Sequence, residues 1–146
     1  MLLLSCCKSS QIKARKDTNI DVYFPAFPYP QTGTILFLDI NGKRVTDYQT
    51  EIVNVVMPLW YWKMVVQYVE QTEDAVQALT TKSISVYFPA FPEAPSGAIM
   101  PLDIHGKRVT EKGVEVVNVV MPYWYWKKLI QYVTETEEAV QALTTK

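Results

Sequence analysis

The sequence predicts an α+β fold made by tandem duplication of a small βββα unit, packed as a pseudo-twofold pair. Three observations carry that reading. First, Val22-Tyr23-Phe24-Pro25-Ala26-Phe27-Pro28 recurs as Val86-Tyr87-Phe88-Pro89-Ala90-Phe91-Pro92, and the offset of 64 holds without a gap to the C-terminus. Of the 62 positions paired between 21–82 and 85–146, 41 are identical. Second, each copy holds β-branched runs punctuated by turn residues. Third, each copy closes on a long segment with apolar residues at helical spacing. Two copies are too few for a solenoid, which needs about three stacked repeats. A fused homodimer fits better. The expected organisation is a basic arm over 1–20, one unit over 21–82 and a second over 85–146.

Within each unit the elements follow in order. Tyr23–Pro28 is aromatic and punctuated by proline, which confines it to an edge strand or an extended segment. Thr34–Ile40 reads as a strand. Asn41-Gly42 after it signals a two-residue hairpin, because a type I′ turn needs positive φ at both central positions. His105-Gly106 stands there in the second copy. Lys43–Thr46 is the expected return strand and Glu51–Met57 the third. The polar loop between them differs most: Asp47-Tyr48-Gln49-Thr50 against Glu111-Lys112-Gly113-Val114. Pro58 opens a helix, where its missing N–H costs nothing. The inward stripe is Tyr61, Val65, Tyr68, Thr72, Ala75 and Leu79, repeated as Tyr125, Leu129, Tyr132, Thr136, Ala139 and Leu143. A unit of 62 residues is marginal alone. A few residues near Thr81–Ile84 join the copies and keep them together. The expected pair is one continuous sheet or two sheets back to back.

Composition narrows the function classes. Hydrophobic residues make up 49% and charged residues 20%, a globular balance. Lys8, Lys13, Arg15 and Lys16 against Asp17 give the arm +3, so the net charge of −1 leaves −4 for the rest. A mildly acidic folded part carries no footprint for nucleic acid. The arm reads as a solvated tail or as a contact for an acidic partner. Cys6 and Cys7 are adjacent and lie in the arm, so neither a disulfide framework nor a cysteine zinc site builds the fold. No stretch reaches the roughly 20 apolar residues of a transmembrane span. Met1-Leu2-Leu3-Leu4-Ser5-Cys6 resembles the end of a bacterial lipoprotein signal, and that resemblance implies a lipid anchor at Cys6. Its apolar run is shorter than the roughly 7–15 residues of a secretory signal. A protein that is soluble or bound in an assembly is therefore the first expectation, and an anchored lipoprotein the second.

Catalytic and metal signatures are sparse. The one histidine, His105, falls in a hairpin turn, and the five glycines are scattered through turns rather than gathered in a phosphate loop. No cofactor and no metal is expected. Asp39 and Asp103 recur before the turns. They serve either as acceptors for turn N–H groups or, were the pseudo-axis to join them, as the acid/base pair of a hydrolase. Asn54 sits on the face of its strand shared with Ile52 and Val56, Asn118 is its counterpart in the second copy, and an amide on an apolar face needs a partner. The proline-rich backbone and a bound ligand are the two candidates. Trp60 and Trp62, like Trp124 and Trp126, lie two apart, about 200° on a helix, so both can hardly face one core. With Tyr23, Phe24, Phe27, Tyr87, Phe88 and Phe91 they form the candidate binding surface, rich in the residues of interface hot spots. Arg44 and Arg108 follow the turns and could meet an anion at the axis. The expected function is therefore a non-enzymatic structural or interaction protein. It would bind a protein partner or assemble into a larger complex of virion or envelope type. The second expectation is a small-molecule binder with an anionic-ligand pocket at the axis, and the third is the carboxylate-dependent hydrolase.

Overall fold

The computed structural model describes residues 11–15, 21–81 and 86–144. Cys6, most of the basic arm and the short join between the repeats lie outside those residues. The fold is α+β with antiparallel sheet. In chain order the elements are β1 (Gln11–Arg15), β2 (Asp21–Pro25), β3 (Leu36–Leu38), β4 (Asn54–Pro58), α1 (Leu59–Thr81), β5 (Met100–Leu102), β6 (Asn118–Pro122) and α2 (Tyr123–Thr144). From β3 to α1 each element has its counterpart 64 positions later, from β5 to α2.

The chain divides into two compact units that cut across the repeats. The sheet unit takes 29–63 and 92–130; the helical unit takes the arm side to residue 28, 64–91 and 131–146. Each unit thus draws on both halves of the chain.

In the sheet unit, one continuous antiparallel sheet runs in the order β3-β4-β6-β5. Its centre is the β4–β6 ladder, with Asn54 opposite Pro122, Val56 opposite Val120 and Pro58 opposite Asn118. Adding 64 to one partner and subtracting it from the other maps this ladder onto itself. Val55, Met57, Val119 and Met121 point to one face and are buried. Successive residues of a strand face opposite ways, so these four share one face while Val56 and Val120 take the other, where Val120 is buried as well. Leu59 N–H donates to the Val117 carbonyl and Tyr123 N–H to the Val53 carbonyl, at 2.9 and 2.8 Å. The ladder therefore runs one residue into each helix and satisfies a donor that a capping side chain would otherwise serve. Neighbouring N–H groups of a strand point oppositely, so Pro58 and Pro122 lack theirs on the far side, past the ends of β3 and β5. Proline closes each strand at no cost in ladder bonds and ends it directly in a helix. Pro58 is thus the last strand residue, and the helix opens at Leu59.

The strands differ from expectation in extent. The return strand over Lys43–Thr46 reduces to one bridge, Leu38 with Arg44, repeated as Leu102 with Arg108. In the first copy Asp47 Oδ1 then accepts the N–H groups of Gln49 and Thr50 at 3.0 and 2.9 Å and turns the chain there. The hairpin also has another loop than the two-residue one expected. Gly42 N–H donates to the Asp39 carbonyl and Asp39 N–H to that of Lys43. Only a three-residue loop, Ile40-Asn41-Gly42, closes both bonds, with the positive φ of 79° on the glycine. The second copy repeats both bonds through Asp103, Gly106 and Lys107.

In the helical unit β1 and β2 pair as an antiparallel hairpin, Ile12 opposite Phe24, so residues 11–15 of the arm form a strand. Residues 86–90 of the second copy form none. Val22, Phe24, Ala75, Leu79, Val140 and Leu143 make the core, with Val86 and Phe88 packed against it. Phe24 and Phe88, equivalent residues, stack at 5.3 Å and 5°. Phe27 meets Tyr68 edge-on at 5.3 Å, and Phe91 meets Tyr132 likewise at 5.5 Å. Every position of the two expected helical stripes is buried.

Candidate functional site

The sequence-predicted surface divides by burial. Phe24 and Phe27 are interior, and Phe88 and Phe91 are half-buried, Phe88 against Phe24 and Phe91 against Tyr132. Each ring finds an aromatic partner inside its own unit, and the burial of Phe24 and Phe27 makes these two packing residues. Tyr23 and Tyr87 stay exposed. Trp126 is buried and Trp62 half-buried, whereas Trp60 and Trp124 remain 50% and 47% exposed. The helix imposes that split: Tyr61 and Tyr125 take the inward position, which turns the preceding tryptophan outward.

Each helix start has a local electrostatic setting. Tyr125 O–H donates to the Pro92 carbonyl at 2.7 Å. Burial, then the charge of Glu93, pushes its pKa up to about 12. Burial also raises Tyr61, with Tyr29 adding to it. Lys127 Nζ stands 4.9 Å from the Tyr123 ring and Lys128 Nζ 5.4 Å from the Trp124 ring. At exposed sites such cation–π contacts are worth about 0.5–1 kcal/mol each. The first copy has Leu59 and Met64 at the matching positions, so only one helix start carries both contacts.

The remaining candidates do not converge. β3 and β5 are the two edges of the sheet and run antiparallel to each other, by the pairings of both with the central ladder. Asp39 and Asp103 follow them, as do Arg44 and Arg108, so each pair sits at diagonal corners. Four strands span about 14 Å at roughly 4.8 Å spacing. The two carboxylates therefore form no acid/base pair, and the arginines share no anion at the axis. Each aspartate serves its own turn instead. Asp39 Oδ1 accepts from Asn41 and Lys43 N–H at 2.8 and 2.9 Å, and Asp103 Oδ1 from His105 and Lys107, both at 2.9 Å. The Lys107 N–H bond foremost holds the Asp103 carboxyl below the usual range. The positive φ of the second turn falls on Gly106, so His105 is not chosen for it. Asn54 and Asn118 are half-buried, each opposite a proline of the other half. Among the described residues no three His, Cys, Asp or Glu side chains gather closely enough to hold a metal ion. No described helix is long and apolar enough to cross a membrane.

Sequence reasoning missed Ile40 and Ile104, which stand 78% and 75% exposed at the hairpin tips. A signal existed: both copies place isoleucine where turn chemistry asks for a small polar residue. No family model, no curated protein and no solved structure matches this chain.

Proposed function

We propose that the protein is a duplicated binding module that works by associating with protein, without chemistry of its own. One observation carries the reading: a large, half-exposed tryptophan at the same helical position in both halves, Trp60 and Trp124. Leaving a tryptophan half exposed forgoes burial worth about 1–1.5 kcal/mol, and the chain does so twice. Tryptophan is the residue most enriched where interfaces concentrate their energy. The turn bonds of Asp39 and Asp103 support the same view, since each carboxylate is engaged by the backbone of its own turn. The architecture behind the module is a tandem pair of related units. The self-mapping register of the β4–β6 ladder supports that pairing within the sheet unit, and the Phe24–Phe88 stack does so within the helical one.

Native mass spectrometry of the purified full-length chain is the test. Copurified protein, or a large oligomer of the chain, is the expected result. A monomer carrying a few hundred daltons of small molecule would overturn the reading.

A further inference from the structure

The two hairpin tips hold side chains the fold does not require. Residues 39–46 and 103–110 match at seven of eight positions, whereas the next four, 47–50 and 111–114, match at none. Both stretches are largely exposed, so exposure alone does not explain the difference. Turn chemistry accounts for the aspartate, which caps backbone N–H groups, and for the glycine, which takes positive φ. It does not account for Ile40, Lys43 and Arg44, or for Ile104, Lys107 and Arg108, all exposed.

Strand directions decide what lies beside each tip. β3 runs antiparallel to β4, and β6 runs antiparallel to β4, so β3 and β6 end at the same edge of the sheet. The tip after β3 therefore shares an end with the helix start after β6. Two bonds trace the link: Val53 N–H donates to the Leu38 carbonyl and Tyr123 N–H to the Val53 carbonyl, both at 2.8 Å. The Phe37 and Tyr123 rings meet edge-on at 5.9 Å over the same step. About 10 Å, two strand spacings, separates the base of the tip from the helix start. The opposite end repeats the plan, with Val117 joining Leu102 to Leu59. One end thus carries Ile40, Lys43 and Arg44 with Trp124; the other carries Ile104, Lys107 and Arg108 with Trp60.

We propose that each end of the sheet is a composite docking site for an acidic protein segment bearing an apolar side chain, built from the hairpin tip of one half and the helix start of the other. This rests on the protein-binding reading above and gives it a chemistry and a valence. The partner must be acidic because the tip turns its carboxylate to its own backbone and presents its cations outward. Lys128 over Trp124 and Lys127 over Tyr123 add positive charge at that end. It must be apolar in part because an isoleucine and a tryptophan flank those cations. One chain then holds two segments, at ends that face apart.

Calorimetric titration of the full chain with a short peptide of Glu, Asp and Leu tests this, beside a peptide with Lys for the acids. The wild type is expected to bind two acidic peptides per chain and the lysine peptide at least tenfold more weakly. Combining Ile40→Ser, Lys43→Ser and Arg44→Ser with Trp124→Ala strikes one composite end, so one site should survive with unchanged Kd. The same hairpin changes with Trp60→Ala strike both ends, so none should survive. All the substituted side chains are exposed or half-exposed, and circular dichroism checks that each variant folds. The reverse pattern would place each site within one half and overturn the proposal. So would equal binding of the lysine peptide, or binding of phosphatidylglycerol vesicles with the same variant dependence. Absence of peptide binding would overturn it too, while a protein partner found by native mass spectrometry would leave the broader reading standing.

Discussion

Replacing Thr72 by valine should stabilise this protein. Thr72 is 1% exposed, and its Oγ1 has no hydrogen-bond partner among the described residues. Thr136, its counterpart, is 2% exposed and in the same condition. Threonines in helices commonly return their hydroxyl to a carbonyl one turn back. Thr80 does so to Val76 at 3.0 Å, and Thr81 does so to Ala78 at 2.8 Å. A buried hydroxyl left unbonded costs about 1–3 kcal/mol. Valine keeps the shape and the β-branch, so neither a cavity nor a change in helix propensity offsets the gain. We expect about 1 kcal/mol for Thr72→Val, a rise in Tm of roughly 2–4 °C for a chain of this size. Thr136 lies one turn past Tyr132, whose pKa burial and then Glu73 push up to about 12. Its hydroxyl is near enough to favour the tyrosinate weakly without meeting it in hydrogen-bond geometry. Thr136→Val should therefore gain slightly less. Urea unfolding of both single variants and the double reads these values. A loss of about 1 kcal/mol or more from Thr72→Val, with Thr72→Ser nearly neutral, would show that the hydroxyl is bonded in solution and refute the reasoning.

Other consequences can be checked on the same material. Gly42→Ala should cost about 1–2 kcal/mol from its φ of 79° alone, since nothing lies within 4 Å of the added methyl, and Gly42→Asn should recover part of the loss in urea midpoint. Tyr125→Phe should cost about 1–3 kcal/mol by stranding the Pro92 carbonyl, and a thermal melt reads it. Asp103, with its folded pKa lowered, contributes stability that is present above its ordinary pKa of 3.8 and is lost as pH falls through the lower folded value; Asp103→Asn should flatten the acid limb of a stability–pH curve. Tyr125 and Tyr132 have raised pKa values, so their contribution is complete below pH 10 and fades as pH rises towards about 12; alkaline unfolding should shift upward on Tyr132→Phe. Acrylamide should quench Trp60 and Trp124 and spare Trp126, which single-tryptophan variants resolve by lifetime.

The helices were the most legible part of this chain, because their cause is local. Tyr61 to Leu79 and Tyr125 to Leu143 repeat at a helical period, and every one is buried. The continuous sheet was one of two arrangements open to the sequence. What chose it is the β4–β6 pairing, a contact between residues about 64 apart that no local pattern encodes. The hairpins were placed correctly but given the wrong loop, since Asn-Gly also serves a three-residue turn when an aspartate stands ahead of it to bind the backbone. The burial of Phe24 and Phe27 was not legible, for a physical reason: phenylalanine beside proline looks the same in a docking strip and in a core that stacks equivalent rings. Helix geometry said that Trp60 and Trp62, or Trp124 and Trp126, could hardly share one core, but not that Trp60 and Trp124 would be the exposed members. Ile40 and Ile104 were not legible, because a turn signal drew attention to Gly42 and away from the residue two places before it.

The interleaving of the two units bears on how the chain acquires its structure. Neither unit is complete in either half: the sheet needs residues 118–122 before β4 has its central partner, and the helical core needs Val140 and Leu143. Pairings of such long sequence separation pay loop-closure entropy before any contact repays it, which slows folding. During synthesis the first half must therefore leave the ribosome with β4 paired to β3 on one edge but open on the edge that β6 later takes, available for strand pairing with a neighbouring nascent chain. Because both halves carry nearly the same strand, an early copy on one polysome can meet its match on another. Productive folding of this protein is thus a race between the arrival of its own second half and capture by someone else's first.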